Sequence, residues 1–144
     1  MVGIDGYHIS WAALEYACEV AVARKALLNV VEIWPVPASL RDGAPSVLIR
    51  RALADAQQRL DQAVESCRER YPGLEISDRA VPGHPVGTLA ERSGGADLLV
   101  VGARGRGTVA APFAGSVGHG LAHHAKCPVA IVRSLPGGDA DAAR

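Results

Sequence analysis

The chain has 144 residues, of which 49% are hydrophobic and only 4% aromatic, and its formal net charge is zero. That length suits one domain with a substantial core. Neutrality removes the bulk electrostatic pull toward DNA, RNA or an acidic membrane, so no nucleic-acid or membrane partner is expected. With so few aromatics the core must be built from Val, Leu, Ala and Ile, which suits a buried parallel sheet packed by Ala-rich helices. Cys18, Cys67 and Cys127 are odd in number and far apart, with no CxxC spacing, and read as reduced, mostly buried thiols. No apolar run approaches the roughly 18 residues of a membrane span. The N-terminus also lacks a basic start followed by an apolar signal region. The expected location is cytoplasmic.

The elements follow in order. Residues 1–6 read as a very short strand ending in a turn. Ser10 is placed to cap a helix carrying Trp11, Leu14, Ala17, Cys18, Ala21 and Val22 at spacings of three and four. Residues 27–34 are strand-like and rich in β-branched side chains, and Pro35 and Pro37 stop them. A loop with Gly43 and Pro45 leads to the longest helix, about 47–71, with Leu53, Ala56, Leu60, Ala63, Val64 and Cys67 down one face. Arg50, Arg51, Arg59, Arg68 and Arg70 read as its solvated face.

Pro72 and Gly73 end that helix, and a strand is expected over 74–81. Pro82 and Gly83 break the strand, and Pro85 opens a helix to about Arg92. Residues 96–101 form the cleanest buried strand. A glycine-rich loop follows, then a helix near 116–125 and a last strand over 128–132. The Gly/Asp/Ala-rich tail, 134–144, is expected to be disordered. Alternation of this kind predicts one α/β domain with a parallel sheet and helices on both faces. Ligands of such sheets sit at the carboxyl ends of strands where the topology reverses, which points to the loops after the first and fourth strands.

The loop after the fourth strand carries Gly102, Gly105, Gly107 and Gly115, then Ser116 at a helix start. Glycine lets backbone N–H groups approach a ligand with no Cβ in the way. A helix N-terminus adds unpaired N–H groups and partial positive charge, which favour phosphate. Ser116 can cap the helix or donate to a phosphate oxygen, and Arg104 and Arg106 can supply counter-charge. An ordinary flexible loop with a Ser cap is the plain alternative. A P-loop is excluded, because no Lys stands where that motif needs one. Gly105, Gly107 and Ala110 satisfy the dinucleotide pattern GxGxxG/A. Pro112 soon interrupts any helix there, however, and no acidic residue follows about 20 positions on.

A third pattern fits fully: Gly102-x2-Gly105-x9-Gly115-Ser116. It resembles the G-x2-G-x9-G-[ST] signature of the ATP-binding branch of the universal stress protein family. Further segments agree. VGIDG resembles the family's VGxDGS opening, and Gly83-His84-Pro85 its G-x-P turn. ADLLVVGARGRG and LAHHAKCPVAIVR are similar to its ADLxVxGxRG and HHAxCPVxVV stretches. The likeness begins at residue 2, and a family domain over 1–133 is expected.

The resemblance implies a single-domain, open, Rossmann-like sheet of the adenine nucleotide alpha hydrolase type. Its five parallel strands would run in order 3-2-1-4-5, with an ATP-like ligand at the ends of strands 1 and 4. By motif, Asp5 would meet the adenine, with Val30 or Val31 near the base. Gly102 and Gly105 would cradle ribose and phosphates, with Arg104 between them. Gly115, Ser116 and Val117 would hold the phosphate tail. ADP or cyclic AMP would suit the same site, and Mg²⁺ could accompany the nucleotide. The family likeness also implies a homodimer joined through the last strand, an apolar edge over 129–132.

Three departures stand out. Tyr7 replaces the family's Ser after Asp-Gly, and Gly118 stands where a second Ser or Thr is common. Met1 begins almost inside the first strand, where the family usually has several more residues. Loss of one charge-assisted hydrogen bond would weaken binding about tenfold. His84, His119, His123 and His124 tempt as metal ligands, yet no Glu follows His119 to complete HExxH, and structural or solvent-facing roles are expected. Cys127 reads as a core residue. Asp5 lacks a partnered nucleophile, so no catalytic residue is assigned. The expected function is nucleotide binding in stress-response regulation with unidentified protein partners. Slow ATP hydrolysis and a nucleotide-free interaction module are its rivals.

Overall fold

A computed structural model describes residues 1–5, 11–37, 46–103 and 116–133. The expectations for Gly6, Tyr7, Ser10, Gly43, Arg104, Gly105, Arg106, Gly107, Ala110, Pro112 and Gly115, and for the tail from residue 134, lie outside the described residues. The chain alternates β1 Val2–Asp5, α1 Trp11–Arg24, β2 Leu28–Trp34, α2 Ser46–Arg70, β3 Ile76–Pro82, α3 Pro85–Arg92, β4 Leu99–Gly102, α4 Ser116–His124 and β5 Val129–Val132. The strands form a parallel sheet in order β3-β2-β1-β4-β5, as the sequence led us to expect.

Residue parity on the strands decides which helices cover which face, because alternate side chains point to opposite sides. Val2, Ile4, Leu28, Val30 and Val100 pack with Leu14, Cys18 and Ala21 of α1 and Leu60, Val64 and Cys67 of α2. Val31, Ile33, Val81, Leu99 and Val101 pack with Leu89 and Ala90 of α3 and Leu121 of α4. The sheet is thus buried on both sides, and β2 reads as an almost continuous apolar run for that reason. Gly3 lets α3 close on β1: a Cβ there would sit 2.7 Å from Leu89 Cδ1. Gly120 does the same between α4 and α3, where a Cβ would meet Val86 Cγ1 at 2.8 Å.

Two strands begin later than their composition suggests, because the preceding backbone groups are used in turns. Leu74 N–H bonds back to Tyr71 O at 2.9 Å, so pairing with β2 starts at Ile76 opposite Leu28. Ala96 N–H closes a 3₁₀ turn over Ser93–Gly95 by bonding Ser93 O at 3.1 Å, which delays β4 to Leu99. Ser93 is fully buried. Its hydroxyl donates to Ala90 O at 2.7 Å and accepts from Lys126 N–H at 2.8 Å, tying the end of α3 to the approach to β5. Pro85 opens α3 as read from the sequence, since its missing N–H costs nothing in the first turn.

Candidate functional site

The strand order reverses between β1 and β4. The chain leaves β1 through α1 on one face and β4 through α4 on the other, and such reversal points form a crevice at the carboxyl ends. Pairing of β1 with β4 is short, Val2 with Val100 and Gly3 with Val101. Beyond it β1 runs on through Ile4 and Asp5, and β4 through Gly102.

Several of the sequence-selected residues meet at this end. Asp5 is the last residue of β1 and Gly102 the last of β4. Gly102 stands level with Val132 of β5, and the next residue, Ala103, donates its N–H to Val132 O at 2.7 Å. Ser116 is the first residue of α4, and Val117 packs half-buried against the α3/α4 side of the core. Gly118 in the same turn is buried. Arg104, Gly105 and Gly115, the middle of the glycine motif, lie outside the described residues.

Val30 and Val31 sit deeper. Val30 is level with Val2 and inside the α1/α2 cluster, while Val31 is level with Gly3 and inside the α3/α4 cluster. The β2 residue standing beside Asp5 is Ile33. Preceding it is Glu32, a carboxylate only 2% exposed whose Oε1 lies 3.6 Å from the Arg59 guanidinium of α2. Glu32 escaped the sequence reading, although one acidic residue inside an apolar strand was the available signal. A buried carboxylate needs a compensating partner, which the reading of Arg59 as purely solvated did not anticipate.

The histidines of α4 interact with each other: the rings of His119 and His123 meet edge to face with centroids 4.9 Å apart. Among the described residues no group of three His, Cys, Asp or Glu side chains is placed to hold a metal. No helix among them is long and apolar enough to cross a membrane.

The model of the universal stress protein family matches residues 1–133. The chain belongs to that family. Universal stress protein Rv2623 of Mycobacterium tuberculosis is 34% identical over 134 residues, covering 92% of this chain and 44% of that protein. A universal stress protein of Mycobacterium bovis is 31% identical over 133 residues, again with 92% and 44% covered. The chain therefore spans about half the length of the curated relatives it matches. Among solved structures, a universal stress protein in complex with cAMP is 32% identical, with TM-score 0.59 and coverage of 92% of this chain and 93% of that one. The universal stress protein UspA from Lactobacillus plantarum, 19% identical, shares the fold at TM-score 0.70, with 92% and 96% covered.

Proposed function

We propose that this universal stress protein binds an adenine nucleotide at the carboxyl ends of β1 and β4 and regulates a stress response through occupancy rather than turnover. The observation that carries the reading is the relative solved with cAMP, which is similar along nearly the whole of both chains. Two features of this chain support it. The strand order reverses between β1 and β4, which is where α/β sheets bind ligands, and the spacing of Gly102, Gly105, Gly115 and Ser116 suits a phosphate cradle leading into a helix N-terminus.

In this reading Asp5 holds the adenine end, with the β2 backbone beside it; Gly102 and Gly105 take ribose and phosphate. Arg104 adds counter-charge, and Gly115, Ser116 and Val117 close on the phosphate tail. ATP is the proposed physiological ligand, with ADP and cAMP as competitors and Mg²⁺ accompanying the triphosphate. Its charge would be met by backbone N–H groups, the helix dipole and a guanidinium. A homodimer through β5, the free-standing edge of the sheet order, completes the proposal.

Denaturing the purified protein and analysing the released small molecules by mass spectrometry tests the ligand. An adenine nucleotide is expected, together with a calorimetric signal for ATP titrated into nucleotide-free protein. Finding neither sinks the reading. Gly115→Val is expected to place a branched side chain among the phosphates and lower affinity at least tenfold with the fold retained. Unchanged ATP binding by a folded Gly115→Val protein would move the site elsewhere.

A further inference from the structure

The outer face of α4 carries two imidazoles that the proposed nucleotide site does not use. Leu121 is fully buried, Val117 packs half-buried against the core, and Gly120 approaches Val86 of α3. These residues fix the inner face of the helix, so His119, Ala122 and His123 turn outward and are exposed. His119 and His123 are four residues apart, a spacing that makes them neighbours along one stripe of the helix. Their ring centroids are 4.9 Å apart, with the ring planes at 70°. Among the described residues neither ring takes part in a hydrogen bond or an ion pair.

We propose that His119 and His123 together chelate a divalent ion of the late first-row metals, of the Zn²⁺ and Ni²⁺ class, with water in its remaining positions. The ring separation suits a shared ion. An ion bonded to an imidazole nitrogen at about 2.0–2.1 Å lies about 3.2 Å from that ring's centroid. Two centroids 4.9 Å apart then subtend about 100° at the ion, between the angles of octahedral and tetrahedral coordination. The χ2 torsion of histidine is broad, so each ring can turn to aim a nitrogen at that point while the backbone stays in place.

The donors decide the class of ion. Imidazole favours Zn²⁺ and Ni²⁺ over Mg²⁺ and Ca²⁺, which prefer oxygen. His123 stands in the last turn of α4, where the partial negative charge of the helix end favours a cation. His124 is rotated about 100° around the helix from His123 and so leaves the stripe. No third His, Cys, Asp or Glu joins the pair among the described residues. A structural zinc site closes four protein ligands around its ion. Two ligands leave the ion open to water, so this site exchanges its ion rather than holding the fold together.

The experiment uses the full chain, free of any affinity tag and carrying Cys127→Ser so that the half-exposed thiol does not compete. Zn²⁺ titrated in a calorimeter is expected to bind as one ion per chain. The same titration followed by NMR should shift the ring signals of His119 and His123 together and leave those of His84 and His124 in place. His119→Ala and His123→Ala are each expected to weaken binding about 100-fold, because each turns a chelate into a single ligand. His124→Ala, whose ring lies off the stripe, should bind as the parent does. Circular dichroism checks that each variant keeps its helices. Zn²⁺ at about 100 times Kd should raise the melting temperature by about 5 °C, and both alanine variants on the stripe should lose that rise. Two rings that merely pack together would produce none of these changes. No binding to the Cys127→Ser protein, a shift confined to one ring, or parental affinity in a folded His119→Ala protein overturns the proposal.

Discussion

Lys25 occupies a position that its side chain disfavours. Its φ is +52°, in the left-handed region, and it stands directly after α1. Lys25 N–H bonds Val22 O at 3.1 Å and Ala26 N–H bonds Ala21 O at 2.9 Å, the paired bonds of a Schellman helix end in which glycine is the usual residue. A Cβ in this conformation costs about 1–2 kcal/mol. Lys25→Gly is therefore expected to stabilise the protein by about 1 kcal/mol, read as a rise in the urea midpoint with an unchanged slope. Composition gave no hint of this helix end, since a lysine carries no turn signal. At the same scale, Asp5, Gly102 and Ser116 were legible because strand ends and helix starts announce themselves through turn residues. The depth of Val30 and Val31 was not, because register is fixed by pairing across strands.

At the scale of elements, the arginine-rich side of α2 has work that the sequence reading assigned to solvent. The bonds Leu28 N–H to Glu75 O and Gly83 N–H to Trp34 O turn the odd-numbered backbone groups of β3 toward β2, so the even ones face outward. Gln57 Oε1 accepts the outward Ala80 N–H at 2.7 Å, and its Nε2 donates to Asp61 Oδ1 at 2.7 Å and Asp78 Oδ2 at 3.0 Å. Arg68 pairs with Asp78 at 2.8 Å and reaches the outward Ile76 O at 3.4 Å. These side chains occupy groups of the β3 edge that would otherwise template another strand. Gln57→Ala is expected to cost about 1–2 kcal/mol, since partly exposed hydrogen bonds contribute about 1 kcal/mol each. It should also raise light scattering at high concentration, whereas an exposed change such as Glu69→Ala should leave both measurements unchanged. The helix itself was plain in the sequence through Ala56, Leu60, Ala63, Val64 and Cys67. Its polar grip on β3 was not, because it joins residues some twenty positions apart whose spacing carries no periodic signal.

For the whole molecule, the two sheet edges differ. Side chains of α2 cover β3, while β5 at the other edge carries Ile131, 37% exposed. In the proposed homodimer Ile131 is buried between copies, so Ile131→Lys is expected to shift the sedimentation profile toward monomer at concentrations where the parent protein is dimeric. A parent protein that is monomeric throughout would remove the dimer from the proposal. The alternation of elements, the apolar identity of each strand, the family and the glycine spacing behind the nucleotide reading were all legible in the bare chain. These are local properties: periodicity, breakers and motif spacing all act within a few residues. Folding alone set Ile33 beside Asp5, buried Glu32 against Arg59 and placed Cys18 and Cys67 in one core cluster. Each of these joins segments brought together by strand pairing or by helices packing on the sheet. No short window of sequence contains both partners.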